Sequence, residues 1–503
     1  MKIGLNVFHK QVLNNEEKID LVTDNGKLID FAVCHVDVNQ FTKEESVDAA
    51  HKLSDYFEKR DVRFITNYEY QNTTIECKAD DGYAWADNSD GCHRLKLYNE
   101  YVKALSESEY FDGIMYDELE HMIASQNPSI QLNTKLKKIL PVFPLSDTKD
   151  PVQQGEILRK QLKEYAEGFK KNGAPAMLGE HVFAVMLHTF AECGIIPNYK
   201  SMKEDYSNVG FAIAAGAAME YNTPLYNCVD NWFRLTHPGH SSKELYHNLV
   251  FAQKAGVDCC YVESISVMTD NDGKITPLGE SFRKFCKEYT GKERDYSIED
   301  YKPEIGIIRY DDGFWGQWYP VIFKKCLNGN PKLKANYKSY EMFRIFNIIT
   351  HGETCKNGIS WARFSPYFLR KHFSFVSMNS TAVFDHKADE RLLDSLKLCF
   401  LCGIHISSDT LKAVEKCVKE KGLTVVTPKR FAPDSIRKKA KGSISEIADG
   451  KGKWIVVRSY KSSKIKNHIK EFLGNKGEIR LTFKDREIKL KINEDKDSFT
   501  EIS

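Results

Sequence analysis

The sequence predicts an α/β protein of three parts: a (β/α)8 TIM barrel over residues 1–290, a doubly wound α/β domain over 303–432 and a small antiparallel β domain over 433–503. Three observations lead there. Eight short β-rich runs alternate with helical patterns over the first 290 residues, which is the count and length of a (β/α)8 barrel. Four of these runs end abruptly in a carboxylate, as strands do when acids line a barrel mouth. Beyond a charged, proline-containing linker at 290–303 the alternation begins again, and past residue 453 it gives way to the period-two pattern of half-buried antiparallel strands.

Residues 2–8, 28–35 and 62–68 are the first three barrel strands. A helix at 43–59 joins the second to the third; Val47, Ala50, Leu53 and Phe57 fall three or four apart and give it one apolar face to lay on a sheet. The fourth strand, 113–117, follows a helix at 95–105, and the fifth, 176–180, follows a helix at 155–170. Residues 195–198 form a short sixth strand, 224–230 a seventh and 258–263 an eighth, the last preceded by a helix at 241–255 that Gly256 closes. The eighth is an unbroken apolar run, Cys259 to Val262, that stops at Glu263, the pattern of a parallel strand covered on both faces. Residues 125–151, irregular and rich in Pro, Ser and Asn, are long enough to be a lid or a contact between protomers.

A helix at 278–289 ends the barrel. The second domain opens with a strand at Glu304 in EIGIIRY and continues with an amphipathic helix at 340–349 and strand-like runs at 373–376 and 381–384. A buried strand at 396–402, a helix at 408–420 and a strand at 423–428 complete a doubly wound pattern. Residues 435–453 read as a basic connection, and runs at 454–457, 478–483 and 487–492 as the terminal β domain.

Lys and Arg number 72 against 70 Asp and Glu, and a formal net charge of +2 gives no basic surface for nucleic acid or an anionic membrane. The opening MKIGLNVFHKQ lacks the apolar core of a signal peptide, and no window approaches the roughly 18 apolar residues of a membrane span, so a cytoplasmic protein is expected. The 13 cysteines agree, being odd in number and mostly set in apolar strand-like runs, where a thiol behaves as a small hydrophobe. Their spacing suggests no four-ligand zinc site, and no cofactor is expected.

The acids that follow the four apolar runs are Asp117-Glu118, Glu180 (before His181), Asp230 (before Asn231-Trp232) and Glu263. One such acid is ordinarily a helix cap or first-turn residue; four at the same place relative to their strands converge on one mouth. Tyr68, Tyr116, Trp232 and Tyr261 lie at or beside strand ends, where a flat ring can stack on the apolar face of a ligand or equally fill the core. His35, His181 and His240 are placed likewise.

A barrel with strand-end carboxylates, an α/β domain of class I amidotransferase-like (flavodoxin-like) shape and a small antiparallel domain together resemble the microbial β-galactosidases of glycoside hydrolase family 42 and their relatives in the retaining glycosidase clan A. The segment SLKLCFLCGIHISSDTLKAVEKCVKEKGLTVVTP, residues 395–428, resembles that family's trimerisation domain. Glu263 in YVES matches the clan's nucleophile at the end of a late strand, and Glu118 in YDE its acid/base at the end of strand four. Two departures stand: the clan carries Asn-Glu where this chain has Asp117-Glu118, and it sets the nucleophile on strand seven where Glu263 ends the eighth.

The resemblance implies a homotrimeric retaining glycosidase with Glu118 and Glu263 catalytic, and the lack of an export signal favours short intracellular oligosaccharides or glycosides as substrates. Asp117, Glu180, His181, Asp230, Trp232, Tyr68, Tyr116 and His35 would then hold the sugar. The reaction needs one carboxyl protonated to assist the leaving oxygen and one ionised to attack, and two like charges close together raise one pKa to supply the first. Other readings use the same residues. Asp117, Glu118 and His121, with Glu180 and His181, are donors for a divalent cation, as in sugar isomerases or epimerases on this barrel. A barrel that only binds sugar would keep the aromatics without needing both glutamates. Cys402 lacks the small-residue elbow of a glutaminase nucleophile, since Leu401 precedes it, and no His-x-Glu follows before Pro428. The loop DDGFWGQWY, 311–319, is rich in residues that bury area at an interface or line a subsite.

Overall fold

Eight parallel strands close into a barrel in a computed structural model that describes residues 1–14, 16–36, 43–68, 73–76, 92–94, 97–125, 130–131, 142–181, 184–202, 205–231, 240–314, 326–356 and 373–502. The strands are β1 (Lys2–Phe8), β2 (Phe31–His35), β3 (Arg63–Asn67), β4 (Phe111–Asp117), β5 (Met177–His181), β6 (Ile196–Ser201), β7 (Tyr226–Asp230) and β8 (Cys259–Glu263). Each pairs with its neighbours in sequence, and β8 returns to β1. Alternation turns Phe31, Val33, Ile65, Met115, Leu178, Cys228, Cys259 and Tyr261 inward as one apolar cluster, and the intervening residues outward to the helices.

Those helices include α1 (Lys43–Glu58), α2 (Asn99–Leu105), α3 (Pro151–Lys171), α4 (Leu187–Glu192), α5 (Ser207–Tyr221), α6 (Ser242–Lys254) and α7 (Pro277–Tyr289). Their starts follow local chemistry: Asp150 accepts from the Val152 amide at 2.8 Å ahead of Pro151, and Ser241 with Glu244 forms a capping box on α6. The sequence reading did not mark α5, SNVGFAIAAGAAMEY, because a helix that is apolar on every side carries no stripe. It is buried on both flanks, against β6 on one and the second domain on the other. A Cβ on Gly210 would approach the Tyr199 ring at 3.3 Å, and one on Gly216 would come within 1.6 Å of the Val383 carbonyl oxygen.

The second sheet contains β9 (Ile305–Ile308), β10 (Thr381–Phe384), β11 (Leu398–Leu401), β12 (Thr424–Pro428), β13 (Ile444–Asp449) and β14 (Gly452–Val457), with helices α8 (Glu341–Ile349) and α9 (Ser408–Lys421). Its order is β10-β9-β11-β12-β14-β13; the parallel strands thus run 2-1-3-4-5, the flavodoxin-like winding, with β13 as an antiparallel edge. Three expectations change. Residues 435–453, read as a connection, hold β13, which pairs antiparallel with β14 at the edge of this sheet. The run 454–457 belongs to this sheet and not to the terminal domain, because β14 pairs parallel with β12 and its WIVV is buried throughout. The run 373–376 is not a strand: Phe375 N bonds to the Lys496 carbonyl and Val376 N to the Asn208 side chain, so its amides go to a loop and to the barrel. The terminal sheet is β15 (Glu478–Phe483), β16 (Arg486–Ile492) and β17 (Phe499–Ile502), antiparallel throughout.

A buried polar network joins barrel to second domain. Arg159 of α3 reaches Asp385 at 3.1 Å and the Tyr310 hydroxyl at 3.0 Å. Asp311 accepts from the Thr189 amide at 3.2 Å and the Met186 amide at 3.3 Å, and His188 Nε2 meets the Val383 carbonyl at 2.7 Å. The opening of the aromatic loop is therefore a seam within the chain, with Phe314 packed on Tyr340; residues 315–319 lie outside the described residues. No helix among the described residues is long and apolar enough to cross a membrane.

Candidate active site

At the carboxyl ends of the barrel strands, seven inward side chains form a polar layer above the apolar one: His35 (β2), Asn67 (β3), Asp117 (β4), Glu180 (β5), Lys200 (β6), Asp230 (β7) and Glu263 (β8). Period-two geometry puts them there: six stand two residues beyond an apolar inward residue such as Met115, Leu178, Cys228 or Tyr261, and Lys200 two beyond Asn198. Asp117 and Glu180 are register partners on β4 and β5, and Asp230 and Glu263 on β7 and β8. Two walls of paired carboxylates thus flank β6, whose Lys200 stands between them.

The Lys200 ammonium lies 3.0 Å from Glu263, 3.3 Å from Asp117 and 3.5 Å from both Glu180 and Asp230. Asn67 donates to Glu180 at 3.2 Å and meets His35 Nε2 at 2.8 Å, and that histidine nitrogen is 4.0 Å from Glu263. The Cys228 thiol is 3.8 Å from Glu263. Below, Asn198 donates to the Tyr261 hydroxyl at 2.8 Å, so Tyr261 forms the floor rather than a face for stacking.

Burial pushes the Glu263 carboxyl up to about 8 against the pull of Lys200, with Asp230 and Glu180 adding to the rise. Burial and then Glu180 push Asp117 well above the usual carboxylate range. Burial works against the charge of Lys200, but Asp117, Glu180, Glu263 and Asp230 outweigh it and hold the ammonium well above its ordinary range. Lys200 is therefore a fixed cation, unsuited to serve as a nucleophilic amine.

Asp117, Glu180, Asp230, Glu263 and His35 are thus brought together as the sequence reading expected. Glu118 stands one residue beyond β4, half-buried, with left-handed backbone at φ 60; its amide bonds to the Glu180 carbonyl at 3.0 Å and its charge bears on Asp117. Three expected contacts face the other way. Tyr68 and Tyr116 alternate with the inward Asn67 and Asp117 and so point to the helix layer, where Tyr116 packs on Tyr165 at 6.3 Å and Tyr68 is grouped with Tyr98, Tyr116 and Tyr165. His181 alternates with Glu180, lies on Phe190 at 4.6 Å and places Nδ1 2.9 Å from the Val185 carbonyl, and burial lowers its pKa to about 3. Trp232 lies outside the described residues. His240, two residues ahead of α6, places Nε2 2.9 Å from the Ser201 carbonyl and Nδ1 3.1 Å from Glu244.

Lys200 and Asn67 were not singled out from the sequence. The expected sixth strand stopped at Asn198, whereas β6 runs to Ser201. The signal was present: a lysine in phase with Asn198 inside a covered strand is almost never buried unpaired, so an acid had to face it.

The metal set read from the sequence is divided by the same alternation. Asp117 and Glu180 point inward, His181 points outward, and the His121 side chain lies outside the described residues. Within the layer, His35, Asp117 and Glu263 offer atoms all within 4.8 Å of one another, but the Lys200 ammonium already stands among these carboxylates as their cation. A cleft of about 1080 Å³ opens at the opposite, amino-terminal end of the barrel, lined by Lys2, Asp30, Asp258 and Arg391. None of the converging acids reaches it, and barrel chemistry is built at the carboxyl end.

No family model matches the chain, and no curated protein matches it by sequence. Among solved structures it is similar to a polyextremophilic β-galactosidase from the Antarctic haloarchaeon Halorubrum lacusprofundi, at 9% identity and a TM-score of 0.58, over 98% of this chain and 93% of that one. It is also similar to an apo exo-carrageenase of family GH42 from Bacteroides ovatus, at 9% identity and a TM-score of 0.42, over 98% of this chain and 73% of that one. The barrel, α/β and small β parts together are therefore a fold shared with the β-galactosidase over nearly the whole chain.

Proposed function

We propose that the protein is a retaining glycoside hydrolase acting on short oligosaccharides or glycosides, β-galactosidase-like in architecture. The observation that carries the reading is the approach of carboxyls from opposite walls: one Glu263 oxygen lies within 4.8 Å of an oxygen on Asp117 and, in a second grouping, of one on Glu180. Acids of opposite walls thus face one another across a single site; the separation is that of Glu263 from Asp117 and Glu180, while retention and the role of Glu118 follow the match of YVES and YDE to the clan's catalytic pair. In this reading Glu263 attacks the anomeric carbon, and Glu118, less buried and next to Asp117, protonates the leaving oxygen and later activates water. Asp117, Glu180, Asp230, His35 and Asn67 bond the sugar's hydroxyls. The fold shared with a β-galactosidase supports the class of substrate.

A screen of aryl glycosides tests it. Turnover of at least one is expected, with retention at the anomeric centre. Glu263→Ala loses activity on all substrates, by on the order of a hundredfold or more, and azide restores it with inverted product; Glu118→Ala keeps its first step on activated leaving groups, and azide gives a retained glycosyl azide. No turnover on any glycoside, with activity on free sugars that a chelator removes, would replace the reading by a metal-dependent isomerase. The family resemblance extends the proposal to a homotrimer, which a monomer seen by light scattering at micromolar concentration would end; a cytoplasmic location is proposed beside it.

A further inference from the structure

We infer that Lys200 is the positioning residue of this site, an internal counter-cation that bridges the two carboxylate walls, aims Glu263 and favours its ionised form. Its consequence for catalysis rests on the glycosidase reading; its physical content does not. The ammonium has three N–H donors and four carboxylates within 3.5 Å, so it cannot serve them equally. Its shortest contact is a hydrogen bond to Glu263 Oε2 at 3.0 Å. Four carboxylates against one ammonium leave a formal charge of −3 among side chains no more than 6% exposed. Such an excess is costly in a low-dielectric interior, and the ammonium bonded to Glu263 favours the ionised form of that carboxyl.

The groups that face Glu263 come from every side of the mouth. Asp230 and Cys228 belong to β7, Asp117 to β4, Glu180 to β5 and His35 to β2, while the Tyr261 hydroxyl on β8 is engaged by Asn198. Burial raises the Cys228 thiol well above its ordinary range, so it brings no charge. Among the described residues that bear on Glu263, Lys200 supplies the positive charge, joined by His35 only when that is protonated. Glu180 Oε1 has no hydrogen bond among the described residues, and the ammonium at 3.5 Å is the cation it faces.

The test is the pH profile of kcat/KM for Lys200→Met and Lys200→Arg on a glycoside that the wild type turns over. Removing the cation makes Glu263 harder to ionise, so the acidic limb of the Met variant should move up by about one pH unit or more. The rate below that limb should fall about tenfold per unit and recover at higher pH. The Arg variant should return the limb to its wild-type place. A limb unmoved in Lys200→Met, with kcat lowered equally at every pH, overturns the inference and leaves Lys200 a packing role. Lys200→Met strands four buried acids and can block folding, so Lys200→Met with Glu180→Gln is the second variant. There the limb should still move upward, by less, because Lys200 bears on Glu263 more strongly than Glu180 does; a limb at or below the wild-type position overturns the inference. If the wild type turns over no glycoside, the glycosidase reading fails by itself, and Lys200 is judged by infrared titration of the buried carboxyl band. Ionisation displaced to higher pH in Lys200→Met and restored in Lys200→Arg upholds its role, and an unmoved titration in Lys200→Met ends it.

Discussion

Burial pushes the Glu263 carboxyl up to about 8 against the pull of Lys200, and an acid that must attack has first to lose its proton. The sign follows: if Glu263 is the nucleophile, kcat/KM rises with pH through about 8 and levels above it. A kcat/KM that falls through the same range would give Glu263 the proton-donor role and move attack to the opposite wall, Asp117 or Glu180. A pH series on one aryl glycoside separates the two. The same residue scale shows why the aromatics were misplaced. Tyr68, Tyr116 and His181 are each one position from an inward residue, and one position in a strand is the difference between mouth and helix layer.

At the scale of elements, α5 is the piece on which barrel and second domain meet. An alanine in a helix interior is ordinarily better than glycine by about 0.5 to 1 kcal/mol. At Gly216 that sign should reverse, because the added methyl meets the Val383 carbonyl of β10, which is backbone and cannot swing away. Gly216→Ala is expected to destabilise by about 1 to 3 kcal/mol, read as a lower urea midpoint with unchanged slope. Gly210→Ala, facing the Tyr199 ring at 3.3 Å, is expected to cost less, and equal costs at the two sites would remove the seam as the explanation.

Over the whole molecule, the Arg159–Asp385 pair ties the barrel to the α/β sheet at a place where neither partner sees water. Against its burial, His386 and then Arg159 hold the Asp385 carboxyl well below the ordinary range, so Asp385 stays charged. Arg159→Met leaves that charge with His386 but without its guanidinium. A loss of about 3 to 5 kcal/mol is expected, the cost of breaking a buried pair from one side. Calorimetry should show a lower transition temperature, and an unchanged one would mean that His386 alone suffices.

Local patterning was enough to determine the barrel, the restart of α/β alternation after residue 303 and the acids at the strand ends, because strand period, apolar runs and helix faces are properties of a few consecutive residues. Residues 454–457 were assigned to the wrong sheet because a four-residue apolar strand does not say which partner will cover it, and β12 claims it only in three dimensions. Lys200 lay beyond the expected end of its strand, and nothing within β6 says that four acids from β4, β5, β7 and β8 will meet it. Closing the barrel decides that. It brings residues more than a hundred positions apart within a few ångströms, and the burial that follows sets which of them hold protons.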